Sequence, residues 1–146
     1  MGVQRLLAVA FLTIGMLVTI VPMEVNGMET QEQKPQAQKI VQTAGRDRLG
    51  DFAPDFARYN DDILFGEVWS RNDKLALRDR SIVTVSALIS AGILDSSLKF
   101  HIASAKKNGV TKEEMVEIIT QLGFYAGWPK AWAAFALAKE VYGQEK

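Results

Sequence analysis

The sequence predicts an all-α fold, and three observations carry that prediction. Apolar residues from position 51 onward recur three and four apart, the spacing of a helix face. Helix start and stop signals bracket those runs: Thr111 and Glu114 have the capping-box spacing, and Gly92 and Gly109 stand where helices end. The stretch with strand propensity, Ile82-Val83-Thr84-Val85, lies inside a run too long for a typical strand.

Taken in order, residues 1–27 are set apart from the fold. Arg5 precedes the charge-free run LLAVAFLTIGMLVTIV, and Val25-Asn26-Gly27 supplies small residues for cleavage, the three-part layout of a secretory signal. An uncleaved N-terminal anchor is the other reading, although the run is shorter than the roughly 20 residues that span a bilayer comfortably. On either reading the domain is exported, to the periplasm or as a secreted protein. Residues 28–50 are polar and glutamine-rich with Pro35 near their start, and read as a mobile leader running into a marginal helix.

The helical domain is expected over residues 51–146. Asp51 can cap its first helix, with Pro54 in the first turn and Phe56, Tyr59 and Ile63 on one stripe. Gly66 is expected to end that helix, leaving residues 66–73 as a loop. Residues 77–92 then read as a buried helix with Ile82, Val85, Leu88 and Ile89 on one side and Gly92 at its C′ position. The next helix runs from about Asp95 to Asn108 and stops at Gly109. The capping box opens a helix carrying Met115, Ile118, Ile119 and Leu122. A tight corner is expected at Trp128, because Pro129 disfavours helical geometry in the residue before it, and Pro129 opens the last helix.

Composition bounds the chemistry. The chain has 146 residues, 48% of them hydrophobic, and no net formal charge, which suits one small domain with a real core. Balanced charge argues against nucleic acid as a partner, since phosphate binding needs a concentrated basic surface. With Cys 0, there is no disulfide, thiolate nucleophile or cysteine metal site, and a single histidine excludes clustered-imidazole zinc sites.

That histidine, His101, lies on the apolar face of its helix or at the edge of it, so it is either a satisfied core residue or a proton-transfer group reached by a cleft. Arg71, Arg78 and Arg80 flank the buried helix, where they serve as solvated termini or recognise a carboxylate. Glu67 and Trp69 fit ordinary loop packing as well as a pocket wall. Phe124, Trp128, Trp132 and Phe135 keep roughly helical spacing, which suits core or subunit contact better than a cofactor site.

Four blocks resemble the carboxymuconolactone decarboxylase family in order and spacing: FGEVWSR from Phe65, LRDRSIVTVSALIS from Leu77, FHIASAKKNGVTKEE from Phe100 and FYAGWPKAWAAFALAKEVY from Phe124. Together they cover roughly residues 51–142. The resemblance implies an alkylhydroperoxidase-D-like helical bundle built on a helical hairpin, assembled as a homotrimer or homohexamer with active sites near subunit contacts. Burying the aromatic stripe against a neighbour would stabilise such an assembly by roughly 25 cal/mol per Å² of apolar area. In the thiol-peroxidase branch of the superfamily a Cys-x-x-Cys pair precedes the histidine. Here Leu94 and Ser97 occupy those places and cannot form a disulfide, which argues against peroxidase chemistry.

For the decarboxylase branch the resemblance implies a lactone or related small carboxylic acid as substrate and no metal or organic cofactor. A carboxylate leaves from carbon conjugated with an unsaturated lactone, which calls for a cation, an oxyanion donor and an acid. Arg80, with Arg71 in reserve, is expected to bind carboxylate. His101 is the proton donor or oxyanion partner, and Glu67, counted with this catalytic group, shapes the pocket with Trp69, Tyr125 and Trp128. The alternatives are a non-catalytic oligomeric scaffold and a peroxidase-like antioxidant protein. An enzyme should bring His101 and Arg80 to one enclosed pocket, whereas a scaffold would bury His101 against a backbone carbonyl with no cavity.

Overall fold

A computed structural model describes residues 37–143. The signal or anchor read at residues 1–27, and the start of the polar leader, lie outside the described residues. Within them the chain forms α1 (Ala44–Leu49), α2 (Pro54–Arg58), a π-helical segment (Tyr59–Trp69), α3 (Leu77–Ala91), α4 (Ser96–Lys107), α5 (Lys112–Ala126) and α6 (Trp128–Tyr142), with no strand among the described residues. No helix among these residues is long and apolar enough to cross a membrane.

Helices α3 to α6 form the bundle. α3 packs on α4 and α5, and α6 packs on all three of the others. Their apolar stripes meet in a core of Val85, Ile89, Leu98, Ile102, Met115, Ile119 and the small residues Ala105, Ala131 and Ala134. Ile82, Leu88, Ile118 and Leu122 pack on it from its edge, so the stripes read from α3 and α5 both face inward. The alanines let α6 approach closely while Trp128 and Trp132 remain exposed.

Local chemistry explains the boundaries. Gly92 follows α3 in a left-handed conformation, and the Asp95 carboxylate accepts the Ser97 N–H to start α4. Thr111 and Glu114 form the reciprocal capping box that opens α5. Arg78 on α3 pairs with Glu114, fastening the start of α3 to the start of α5. At the same end, buried Tyr142 in the last turn of α6 donates to the Val110 carbonyl just before α5 at 2.8 Å.

Two boundaries differ from expectation. The corner between α5 and α6 is made by Gly127, whose φ of 111° is costly for any residue with a Cβ, and α6 already begins at Trp128. Pro129 therefore lies within the first turn of α6, where its missing N–H costs nothing. At the other end of the domain Asp51 does not cap α2. Ala53 holds that position without a side-chain hydrogen bond, and Pro54 opens the helix.

The larger correction concerns Gly66, which does not end a helix. The chain continues as a π-helix to Trp69, so Glu67 and Trp69 are helical rather than in a loop. An i→i+5 ladder changes which side chains share a face. The stripe expected to point inward is exposed, with Phe56, Tyr59 and Ile63 at 60%, 53% and 37%, while Ala57, Asp61 and Trp69 are buried instead.

Candidate functional site

α4 carries the site on one side. Its core side is Leu98, Ile102 and Ala105. Rotated from these, His101, Ser104, Lys107 and Asn108 are spaced three, six and seven residues on, and so share a neighbouring face. They line a solvent-open groove of about 540 Å³ together with Phe100, Ala103, Phe65, Trp69, Leu77, Ile40 and Gln42. The opposite wall is the end of the π-helical segment, where Phe65 and Trp69 stack with ring centroids 5.7 Å apart. Continuation of the helix past Gly66 is what carries Trp69 to this wall.

The base of the groove is fixed by hydrogen bonds. Asn108 Nδ2 donates to Ser81 Oγ at 2.9 Å, and Ser81 Oγ donates to the Leu77 carbonyl at 2.8 Å, tying the end of α4 to the start of α3. Ser104 Oγ is turned back on the Phe100 carbonyl at 3.0 Å. The Phe100 ring meets the imidazole edge-on at 5.2 Å and 82°.

Neither nitrogen of His101 is hydrogen-bonded to a described residue. Burial lowers its pKa below the ordinary 6.5, because a half-buried ring without a carboxylate partner has nothing to offset the loss of water around its cation. The ring is therefore neutral at pH 7, with one N–H to donate and one lone pair to accept. Lys107 supplies the positive charge in the groove lining, which contains no carboxylate. Within the lining an anion therefore finds a cationic partner and no like charge.

A short N-terminal strap makes one wall. Gln38 N–H donates to Asn72 Oδ1 at 2.9 Å, and Asn72 Nδ2 donates back to the Gln38 carbonyl at 2.7 Å. Ile40 N–H donates to Ser70 Oγ at 2.8 Å. Below the strap, Asp61 receives the N–H groups of Gly45 and Arg46 at 2.8 and 3.0 Å and the Asn60 amide at 2.9 Å. Burial opposes its charge, yet those donors and the Arg46 guanidinium outweigh it and hold the carboxyl below its ordinary 3.8. Gly45 is required here by close approach: a Cβ would lie 2.7 Å from both the Ala57 carbonyl oxygen and Asp61 Oδ1.

The residues expected to form the site are only partly brought together. His101 and Trp69 line the same groove. Arg80 lies outside its lining; its Nη2 donates to the Arg71 carbonyl at 3.0 Å, and its buried Nε–H has no partner among the described residues. Arg71 Nε reaches the Glu67 carbonyl at 3.4 Å. Glu67 faces a separate depression of about 300 Å³ with Asp61 and Asp62, and Ile40 and Gln42 form the partition between the two spaces. Tyr125 and Trp128 are at the α5–α6 corner, 85% and 54% exposed, with the Trp128 ring lying over Gly123. Lys107, Ser104 and Asn108 belong to no site motif in the sequence, though their spacing from His101 marks the same helix face. Ile40 and Gln42 carried no local signal, because only the fold brings the leader to α4.

Comparison with known proteins places these features in context. Residues 54–140 match the Carboxymuconolactone decarboxylase family. The chain is 40% identical over 96 residues to 4-carboxymuconolactone decarboxylase of Acinetobacter baylyi, an alignment covering 66% of this chain and 70% of that protein. It is 29% identical over 85 residues to an uncharacterized 15.0 kDa protein of Paracoccus denitrificans, covering 58% of this chain and 63% of that protein.

Proposed function

This chain belongs to the carboxymuconolactone decarboxylase family, and on that footing we propose that it is a cofactor-independent carboxy-lyase or isomerase acting on an unsaturated lactone or related small carboxylic acid. The observation that carries the proposal is His101 itself: an imidazole with neither nitrogen bonded among the described residues, in a groove whose lining holds Lys107 and no carboxylate.

In such a decarboxylation the electron pair of the breaking C–C bond moves into the conjugated lactone. Carbon dioxide leaves, and negative charge builds on the carbonyl oxygen. A cation held on the departing carboxylate would stabilise the ground state more than the transition state, so it is best placed on a retained carboxylate. Lys107 takes that role in this proposal. The His101 N–H then donates to the developing enolate oxygen, a task for which a neutral ring with a lowered pKa is suited. Trp69 and Phe65 present an apolar wall against which the body of the substrate can lie. Water admitted by the open groove returns a proton to carbon. Arg80 acts as a positioning residue, holding the Arg71 carbonyl and with it the turn from which Asn72 grips the strap.

The scaffold reading called for His101 seated on a backbone carbonyl without a cavity, and the enzyme reading for one enclosed pocket shared with Arg80. In the single chain neither is met in full, because the ring opens to a groove that is solvent-open and leaves Arg80 outside its lining. Peroxidase chemistry lacks its thiols. We also take the protein to act after export, from the layout of residues 1–27, and to assemble as a homotrimer or homohexamer through the exposed aromatics of α5 and α6.

The test is ultraviolet-monitored turnover of unsaturated lactone carboxylates by the purified protein and its His101→Gln variant. Wild type should consume at least one of them, and the variant should lose roughly 10²-fold in kcat with unchanged circular dichroism. Full turnover by the folded variant would remove His101 from the mechanism.

A further inference from the structure

We infer that the strap at residues 38–42 is a specificity element of the groove, with the Gln42 carboxamide as a hydrogen-bond donor to the substrate's carboxylate and Ile40 as an apolar wall for its body. The inference rests on the functional reading above in taking the groove as the substrate site. It goes beyond that reading because the strap precedes residues 54–140, the segment that matches the family.

The geometry of Gln42 carries the case. Its Oε1 accepts the backbone N–H groups of Thr43 and Ala44 at 3.1 and 3.2 Å, so the carbonyl end is already committed to the start of α1. That fixes the amide orientation and leaves both Nε2 hydrogens as donors. Among the described residues none accepts from them, and the half-buried side chain lines both the groove, with His101 and Lys107, and the depression beside it, with Asp61, Asp62 and Glu67. On the groove side, an amide donor that shares its lining with a lysine and with no carboxylate matches a ligand carboxylate with two acceptor oxygens.

The strap is held firmly enough to select. Asn72 clamps Gln38 by two hydrogen bonds, Ser70 holds Ile40, and the Asp61 clamp on Gly45 and Arg46 fixes the downstream end. A wall anchored at both ends presents its side chains at little entropic cost on binding.

Gln42→Glu is a selective probe. It keeps an acceptor for the Thr43 and Ala44 N–H groups, and a negative charge there suits the start of α1. It replaces the NH2 donor with a negative oxygen at the same position in the groove lining. Binding of a butenolide acetic acid and of its neutral primary amide would be measured by quenching of tryptophan fluorescence and by calorimetry, on wild type and Gln42→Glu, with thermal melting confirming the fold. The variant should bind the carboxylate at least about tenfold more weakly and the amide nearly as well as wild type does.

Equal carboxylate affinity in the two proteins would overturn the inference, as would an equal loss for both probes or no saturable carboxylate binding by wild type. Failure of the functional reading has a different signature. Charge-selective weakening by Gln42→Glu, with no lactone turned over by wild type, would sink the lyase proposal and leave the strap's role standing.

Discussion

His101 shows how one residue's surroundings set its chemistry. Its position on α4 removes part of its water without providing a carboxylate, so the fold lowers its proton affinity below the ordinary 6.5. As pH falls, the unfolded chain therefore takes up the proton before the folded one does. Stability contributed above pH 6.5 is lost progressively below it, toward the lower folded-state value. Urea midpoints followed from about pH 8 to about pH 5 should fall more steeply for wild type than for His101→Gln. Parallel pH profiles would show that the ring titrates in the fold as it does in solution. Charge on the groove was less legible than the imidazole. The arginines near α3 drew attention as carboxylate binders, but Arg80 spends its Nη2 on the Arg71 carbonyl, and the lysine in the groove lining is Lys107. A lysine in the last turn of a helix reads by default as complementing the helix dipole, which is why spacing alone did not promote it.

At the scale of elements, the helices with paired start and stop signals fall where those signals predict, and the segment without them departs from expectation. Asp95 and the Thr111–Glu114 box are local devices, complete within a few residues, so sequence displays them. The π-helical segment has no such marker. Its ladder places Asp61 under the leader, where the buried carboxylate holds the first N–H groups of α1 and the Arg46 side chain at once. α1 has six residues, too few to be stable alone, and Thr43 gives its N-terminus no side-chain cap. Asp61→Ala should therefore speed amide exchange at Gly45, Arg46 and Ile40 while leaving the Val85, Ile102 and Ile119 amides as protected as before. Uniform loss of protection through α3 to α6 would mean instead that Asp61 supports the bundle itself. By the same logic the variant should weaken substrate binding at the groove wall without touching the core.

For the whole molecule, the proposed assembly through the aromatic surface gives a direct prediction. Phe124, Tyr125, Trp128 and Trp132 are 78%, 85%, 54% and 68% exposed in the single chain, a group of exposed large aromatics around the α5–α6 corner of the kind that marks interaction sites. Trp132→Glu should sediment as a smaller species than wild type while keeping its helical content; identical sedimentation would take this surface out of the interface. The all-α class, the inward stripes of α3 and α5 and the absence of thiol chemistry were fixed by the sequence alone, because each depends on residue identity and on contacts within a turn or two of helix. The tertiary structure alone decided the rest: that the helix runs through Gly66 to bring Trp69 to α4, that Lys107 rather than Arg80 lines the groove with His101, and that Ile40 and Gln42 close its side. The physical reason is range. Helical periodicity fixes which side chains share a face, but groups distant along the chain meet only when packing, a buried carboxylate and a few long-range hydrogen bonds choose one arrangement of those faces.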